Sequence, residues 1–320
     1  MSTLDPEQLC ERADELARAG RSGEAIPLVE EALPLLVARF GQRHANVLDA
    51  ARELGSLYAD IGDSAGARGA YERYLVLCEG AGVDDDARLG GAHHYLAELH
   101  RSARDYLAAK RHAEKCVAAW ERTYAKDSPD ELFVASALNN LAAIEARLGD
   151  LGRGASLYAR ALEIEERLGG PDNPALAPLL NNFANVLVSQ NDLPRATAML
   201  ERALSLVHGA YGQDHADASL VLHTMGHLAA TAGRLEEAEG HLRRALAIED
   251  GIAGAEPPAK AALLAYLGDV CNRRGNTADA AAFLDRALAI YEGAYGKDHA
   301  KVIQTREALA EIGRTRGEDA

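Results

Sequence analysis

The chain has 320 residues, 48% hydrophobic but only 5% aromatic, so any core must be built mainly from Ala and Leu. A net charge of −15 argues against a nucleic-acid partner, whose phosphates call for Lys and Arg, and against an anionic membrane surface. No apolar run approaches the roughly 18–20 residues of a membrane span, and Met1 to Glu7 lacks the basic and apolar regions of a signal peptide.

Asp5-Pro6 opens the first helix, with the carboxylate as cap and Pro at the first helical position. A helix pair is expected over 5–40, with Pro27 near the start of its second helix and Pro34 inside it, where a kink is expected. A second pair covers 47–79 and runs into a Gly- and Asp-rich loop, 80–86. The third, 89–124, is the least regular, and a three-residue insertion within 125–132 follows it. That insertion is the candidate hinge, between repeats 1–3 and repeats 4–7. Pairs over 133–168, 175–209 and 217–250 are the most regular, and a seventh covers 259–293. A last helix over 301–314, with Arg306, Glu307, Glu311 and Arg314, is expected to cap the end of the stack.

The pairs follow one ruler. Turn residues fall at Gly20, Gly62, Arg104, Gly149, Asn191, Gly233 and Gly275, at steps of 42 residues except for one of 45. Seven residues before each turn stands Ala or Gly (Ala13, Gly55, Ala97, Ala142, Ala184, Gly226, Gly268). Five residues after it stands another (Ala25, Ala67, Ala109, Gly154, Ala196, Ala238, Ala280). Only such residues let two helix backbones cross at the short end of the roughly 8–10 Å range. Thirteen after the turn comes Leu or Val in every copy, from Leu33 to Leu288.

This pattern resembles the tetratricopeptide repeat, a helix–turn–helix unit of about 34 residues. The usual early Trp and the closing Pro are missing, and the second helix runs on instead. The long repeat, the phrases Leu138–Ala142 and Leu180–Ala184, and the connectors Gly212–His215 and Gly296–His299 look like the kinesin-light-chain subfamily. The resemblance implies an all-α, right-handed superhelix of seven helix–turn–helix repeats plus a C-terminal capping helix, serving as a protein-binding scaffold.

In that family the first helices line the concave face. Carried over by position, the groove residues in the second half are Asn139, Asn140, Arg147, Asn181, Asn182, Asn185, His223, His227, Tyr266, Asp269 and Arg273. An Asn amide donates and accepts at once, so it can clasp the backbone of an extended peptide without reading its sequence. The alternative is a hydrogen bond to the neighbouring helix, and it weighs most for Asn140 and Asn182. In the first half the groove positions include Glu7, Glu11, Asp14, Asp49, Glu53, Asp60 and Glu98 against Arg18, Arg52 and Arg101. An acidic wall there steers a basic segment of a partner, unless it is only the solvated face of an acidic protein. His94, Tyr95, His223 and Tyr266 offer adaptable contacts between the two regions.

Enzymatic readings find little support. His223 and His227 stand at i, i+4, but no Glu follows as in H-E-x-x-H, and a third zinc ligand would have to be Asp269 or Asn185. The group His93, His94, Glu98 and His100 is equally incomplete. No phosphate-binding glycine loop and no nucleophile elbow occur. His215 and His299, in the connectors, are read as helix caps. Cys10, Cys78, Cys116 and Cys271 have no metal or redox spacing, and Cys116 and Cys271 fall at packing positions, as small hydrophobes in a reducing compartment. The expected protein is therefore a cytoplasmic, non-catalytic adaptor without cofactor or metal, binding a protein or peptide. A self-assembling solenoid, or a receptor for a signalling peptide acting in trans, is the alternative.

Overall fold

A computed structural model describes residues 5–80, 86–252 and 258–318. These residues form fifteen α-helices and no strand. Contacts group the chain into two compact units, Met1–Leu168 and Gly169–Ala320. The first holds α1 (Pro6–Arg18), α2 (Ser22–Phe40), α3 (Ala45–Asp60), α4 (Ser64–Gly80), α5 (Asp86–Ser102), α6 (Tyr106–Thr123), α7 (Glu131–Arg147) and α8 (Leu151–Gly169). The second holds α9 (Leu176–Ser189), α10 (Leu193–Tyr211), α11 (Ala216–Thr231), α12 (Leu235–Gly251), α13 (Pro258–Arg273), α14 (Thr277–Tyr295) and α15 (Ala300–Glu318). Within each unit, helices that follow one another in sequence pack together, α1 on α2 and α2 on α3 for instance.

All seven ruler residues adopt left-handed backbone, with φ from +60° at Arg104 and Asn191 to +93° at Gly149. Their hydrogen bonds repeat. The Gly149 N–H donates to the Ala146 carbonyl and the Asp150 N–H to the Glu145 carbonyl, which closes α7 with a Schellman turn. Asp150 then accepts the Arg153 N–H and so caps α8. Asp105, Asp192 and Asn276 cap their helices in the same way. One left-handed residue and one cap thus reverse the chain.

The paired small residues meet. A Cβ on Gly154 would lie 3.1 Å from the Ala142 carbonyl oxygen, one on Gly226 3.3 Å from that of Ala238, and one on Gly268 3.2 Å from that of Ala280. These pairs join the position seven before the turn to the position five after it. Around the crossings the core is Leu and Ala, with Leu33, Leu138, Leu180, Leu200 and Leu242 fully buried.

Arginines lace successive elements together. Arg160 pairs with Glu121, Arg244 with Asp214 and Arg286 with Asp250, each from the place eleven residues past its turn. Exposed pairs of this kind contribute about 0–1 kcal/mol each. The buried Glu145 is a stronger tie. Lys110 of α6 donates to it at 2.9 Å, and Arg153 of α8 lies 3.0 Å from its other oxygen.

His215 and His299 do cap helices, each accepting at Nδ1 the N–H two residues on, with the ring stacked on Tyr211 or Tyr295. A third copy, Phe40-Gly41 to His44, escaped the sequence pattern because Arg43 replaces the Asp before the His. Helix α2 continues unbroken through Pro27 and Pro34. The insertion 125–132 lies inside the first unit, where Arg167 of α8 pairs with Asp127 and Glu131 and Glu131 accepts the Asp127 N–H at 2.7 Å. Residues 81–85, in the expected Gly- and Asp-rich loop, lie outside the described residues.

Arg104 is exposed and left-handed, a conformation that strains a non-Gly residue by roughly 1–3 kcal/mol. Arg104→Gly is expected to raise stability by about 0.5–1 kcal/mol, the relief of strain exceeding the added unfolded-state entropy. Gly268→Val is expected to lower it by about 1–3 kcal/mol through overpacking at the crossing. Denaturant titration of both variants checks the two signs.

Candidate functional site

In the first unit a cleft of about 440 Å³ opens between α1 and α3. Carboxylates of Glu7, Glu11, Asp14, Asp49 and Glu53 line it, with Arg52 as the one lining cation. Helical spacing puts Glu7, Glu11 and Asp14 on one stripe of α1, and Asp49 and Glu53 on the facing stripe of α3. Asn46 Nδ2 donates to Glu7 at 3.0 Å, and Arg39 lies 3.5 Å from Glu7. The ion pairs of the others are longer: Arg52 stands 3.8 Å from Glu53, Arg18 3.7 Å from Asp14, and Arg88 3.6 Å from Asp49. Burial, with Asp14 and Asp60 nearby, raises the Glu53 carboxyl above its ordinary range. Burial, with Asp14, Glu53 and Glu7 adding to it, pushes the Cys10 thiol at the same cleft up to about 11. The cleft is a region of concentrated negative charge.

Beside it, Arg52 lies within electrostatic reach of Tyr95, whose ring stacks on Tyr71 with centroids 4.6 Å apart. His94 and Tyr95 are half-buried on α5, and Glu98, one turn on, is held by Arg101 at 2.6 Å. On α7, Asn139 and Asn140 are half-buried, with Asn139 Nδ2 donating to Asn140 Oδ1 at 3.3 Å, while Arg147 is exposed.

In the second unit the amides differ from expectation. Asn181 is only 2% exposed and its Oδ1 has no hydrogen-bond partner, so burial removes it from the surface a partner could touch. Asn185 is exposed, although its Nδ2 donates to the Asn181 carbonyl and lies 3.5 Å from Thr224 Oγ1. Asn182 is half-buried. His223 and His227 both approach the Tyr266 ring, at centroid distances of 6.0 and 5.6 Å. Tyr266 and the exposed Asp269 line a second cleft, about 580 Å³, between α13 and α15, and Arg273 pairs with Asp269 at 3.6 Å. No three His, Cys, Asp or Glu side chains among the described residues are placed to hold a metal.

One cluster was not legible in the spacing. His93 Nδ1 lies 3.0 Å from His112 Nδ1, and His100 stacks on His112. Two nitrogens at that distance share one proton. Burial, helped by His112 and Lys115, lowers His93 to about 4, and burial, helped by His100, Lys115 and Arg111, lowers His112 to about 4. No disulfide joins the four cysteines, and burial raises the thiols of Cys116 and Cys271 to about 12 and about 11. With Cys10 also raised, none of these three is a thiolate at neutral pH.

Seven left-handed turns, each joining a helix pair that crosses on small residues, define a helix–turn–helix repeat protein. Family models described as Tetratricopeptide repeat match residues 133–207 and 260–320, and a second of the same description matches 93–130. Together they span more than half of the sequence, and the chain belongs to the tetratricopeptide repeat family. No curated protein matches it. Among solved structures it is similar to BtubC (BKLC) from P. vanneervenii, at 25% identity and TM-score 0.60 over 80% of this chain and 95% of that one. It is also similar to a candidate kinesin light chain of Podosopora anserina with nearly identical TPR-like repeats, at 17% identity and TM-score 0.55 over 63% and 94%. A tetratricopeptide repeat protein from Parabacteroides merdae matches at 13% identity and TM-score 0.66 over 96% and 98%. The last two likenesses show the fold alone. Repeats of this family are in general protein-binding scaffolds. No helix among the described residues is long and apolar enough to cross a membrane.

The imidazole pair sets a pH dependence. Both folded values lie below the ordinary 6.5, so the unfolded chain binds more protons between them. The stabilisation is complete above pH 6.5 and is lost as pH falls towards 4. Melting temperature should therefore drop more between pH 7 and pH 5 in the native protein than in His93→Phe/His112→Phe, measured by circular dichroism.

Proposed function

We infer that this protein is a non-catalytic adaptor that holds a segment of another protein along its first helices, and that the acidic cleft between α1 and α3 takes a Lys or Arg of that segment. The observation that carries this reading is the cleft itself. Five carboxylates from two facing helices converge on about 440 Å³ of open space with a single lining arginine. A cation entering there gains attraction from several charges at once and relieves their mutual repulsion. The same field repels acidic segments. The half-buried and exposed amides of Asn139, Asn140, Asn182 and Asn185, each within its own unit, suit sequence-independent contacts to a partner's backbone.

The likeness to BtubC (BKLC) at 25% identity, with the 42-residue spacing, supports placing these repeats in the kinesin-light-chain-like subfamily. Four cysteines with no disulfide among them support a reducing, cytoplasmic setting.

Selection from a random peptide display library tests the reading. Bound sequences are expected to be enriched in Lys and Arg, and their affinity should fall with added salt. Glu11→Lys with Asp49→Lys, both at exposed positions, should weaken the selected peptides by roughly tenfold or more while leaving the helical circular dichroism unchanged. Absence of basic enrichment, or undiminished binding by the double variant, would refute it.

A further inference from the structure

A run of aromatic rings lies beside the acidic cleft in the same unit. Arg52 lines the cleft and lies within electrostatic reach of Tyr95. From Tyr95 the centroids step 5.6 Å to His94, 5.6 Å to Trp120 and 5.5 Å to Phe133. Trp120 is fixed from behind, its Nε1 donating to the Ala87 carbonyl at 3.0 Å and its ring lying where a Cβ on Gly90 would stand. Phe133 stacks on Tyr124 at 5.2 Å, yet is 48% exposed, and its neighbour Leu132 is 46% exposed. Two large apolar side chains held open at the end of a rigid aromatic run form a preorganised contact surface.

We propose that the segment taken by the acidic cleft also carries an aromatic residue, which docks on Phe133 and Leu132 no more than about seven positions away from its basic residue. This rests on the adaptor reading above. The spacing comes from geometry. The ring-to-ring path limits the separation of Tyr95 and Phe133 to about 17 Å, and the carboxylates lie one arginine side chain beyond Tyr95. An extended peptide advances about 3.3 Å per residue, so that distance calls for at most about seven residues. An aromatic occupant fits because Phe133 offers a ring face and edge, and Leu132 adds apolar area beside it.

Fluorescein-labelled peptides with one Arg-Arg pair and one Phe, placed two to ten residues apart, test this by anisotropy, each against a counterpart with Ala for Phe. The chain has a single Trp, so Trp120 emission reports events at its own ring. Expected are an affinity optimum at a spacing of about seven or fewer, roughly tenfold tighter binding than the Ala counterpart there, a smaller gain at ten, and a change in Trp120 emission with the Phe peptide alone. Phe133→Ala should remove the gain and leave the Ala counterpart's affinity untouched. Phe133→Leu, which keeps the apolar volume, should retain part of it. Equal binding of Phe and Ala peptides at every spacing, or an optimum that survives Phe133→Ala, overturns the aromatic site while the Ala counterpart still reports on the acidic cleft. Failure of the Ala counterparts to bind at all overturns the basic-segment reading, and this inference with it.

Discussion

Close approach of two helix backbones is the constraint on which each hairpin rests. Where Gly226 faces Ala238 and Gly268 faces Ala280, a single added carbon would press on a carbonyl oxygen. The spacing between helices then fixes which longer side chains fill the remaining space, such as Leu242 and Leu284, which lie against those same glycines. It also fixes the turn. Two helices this close, joined by three residues, require one residue in the left-handed region, and five of the seven copies supply Gly. Arg104 and Asn191 accept the same backbone with a side chain attached.

Charge is sorted rather than spread. Arginines of the second helices are largely engaged with carboxylates of earlier helices, as Arg153 of α8 is with Glu114 of α6 and Arg122 of α6 with Asp86 of α5. Apart from Glu7, which accepts from Asn46, the cleft carboxylates of α1 and α3 have longer ion pairs, and Glu11 faces the cleft with its charge exposed. A net charge that by itself speaks only of solubility becomes a local field because one stretch of two facing helices carries so much of it.

The sequence shows the hairpins clearly because their determinants act within a few residues. A left-handed turn, a small crossing residue and an Asp cap leave marks at fixed offsets, which is why Gly149, Ala142 and Asp150 can be picked out unaided. The acidic stripes on α1 and α3 are legible for the same reason, since helical periodicity places Glu7, Glu11 and Asp14 together. Asn181 shows the limit. It occupies the same place in its repeat as Asn139, yet it is buried and Asn139 is half-buried, because exposure is decided by packing between helices far apart in sequence. The contact of His93 with His112 crosses from α5 to α6, and the run from Tyr95 to Phe133 crosses three helices, so neither leaves a periodic trace.

Arg104 and the paired imidazoles of His93 and His112 belong to the same hairpin, α5 with α6, which lies in the interior of its unit. In a stack held together chiefly by adjacent elements, an interior weak point divides the row where a weak end would only shorten it. Mechanical or chemical stress on this unit would then act on a fault line, parting two folded flanks and separating Tyr95 from Arg52 while α1 to α4 still stand.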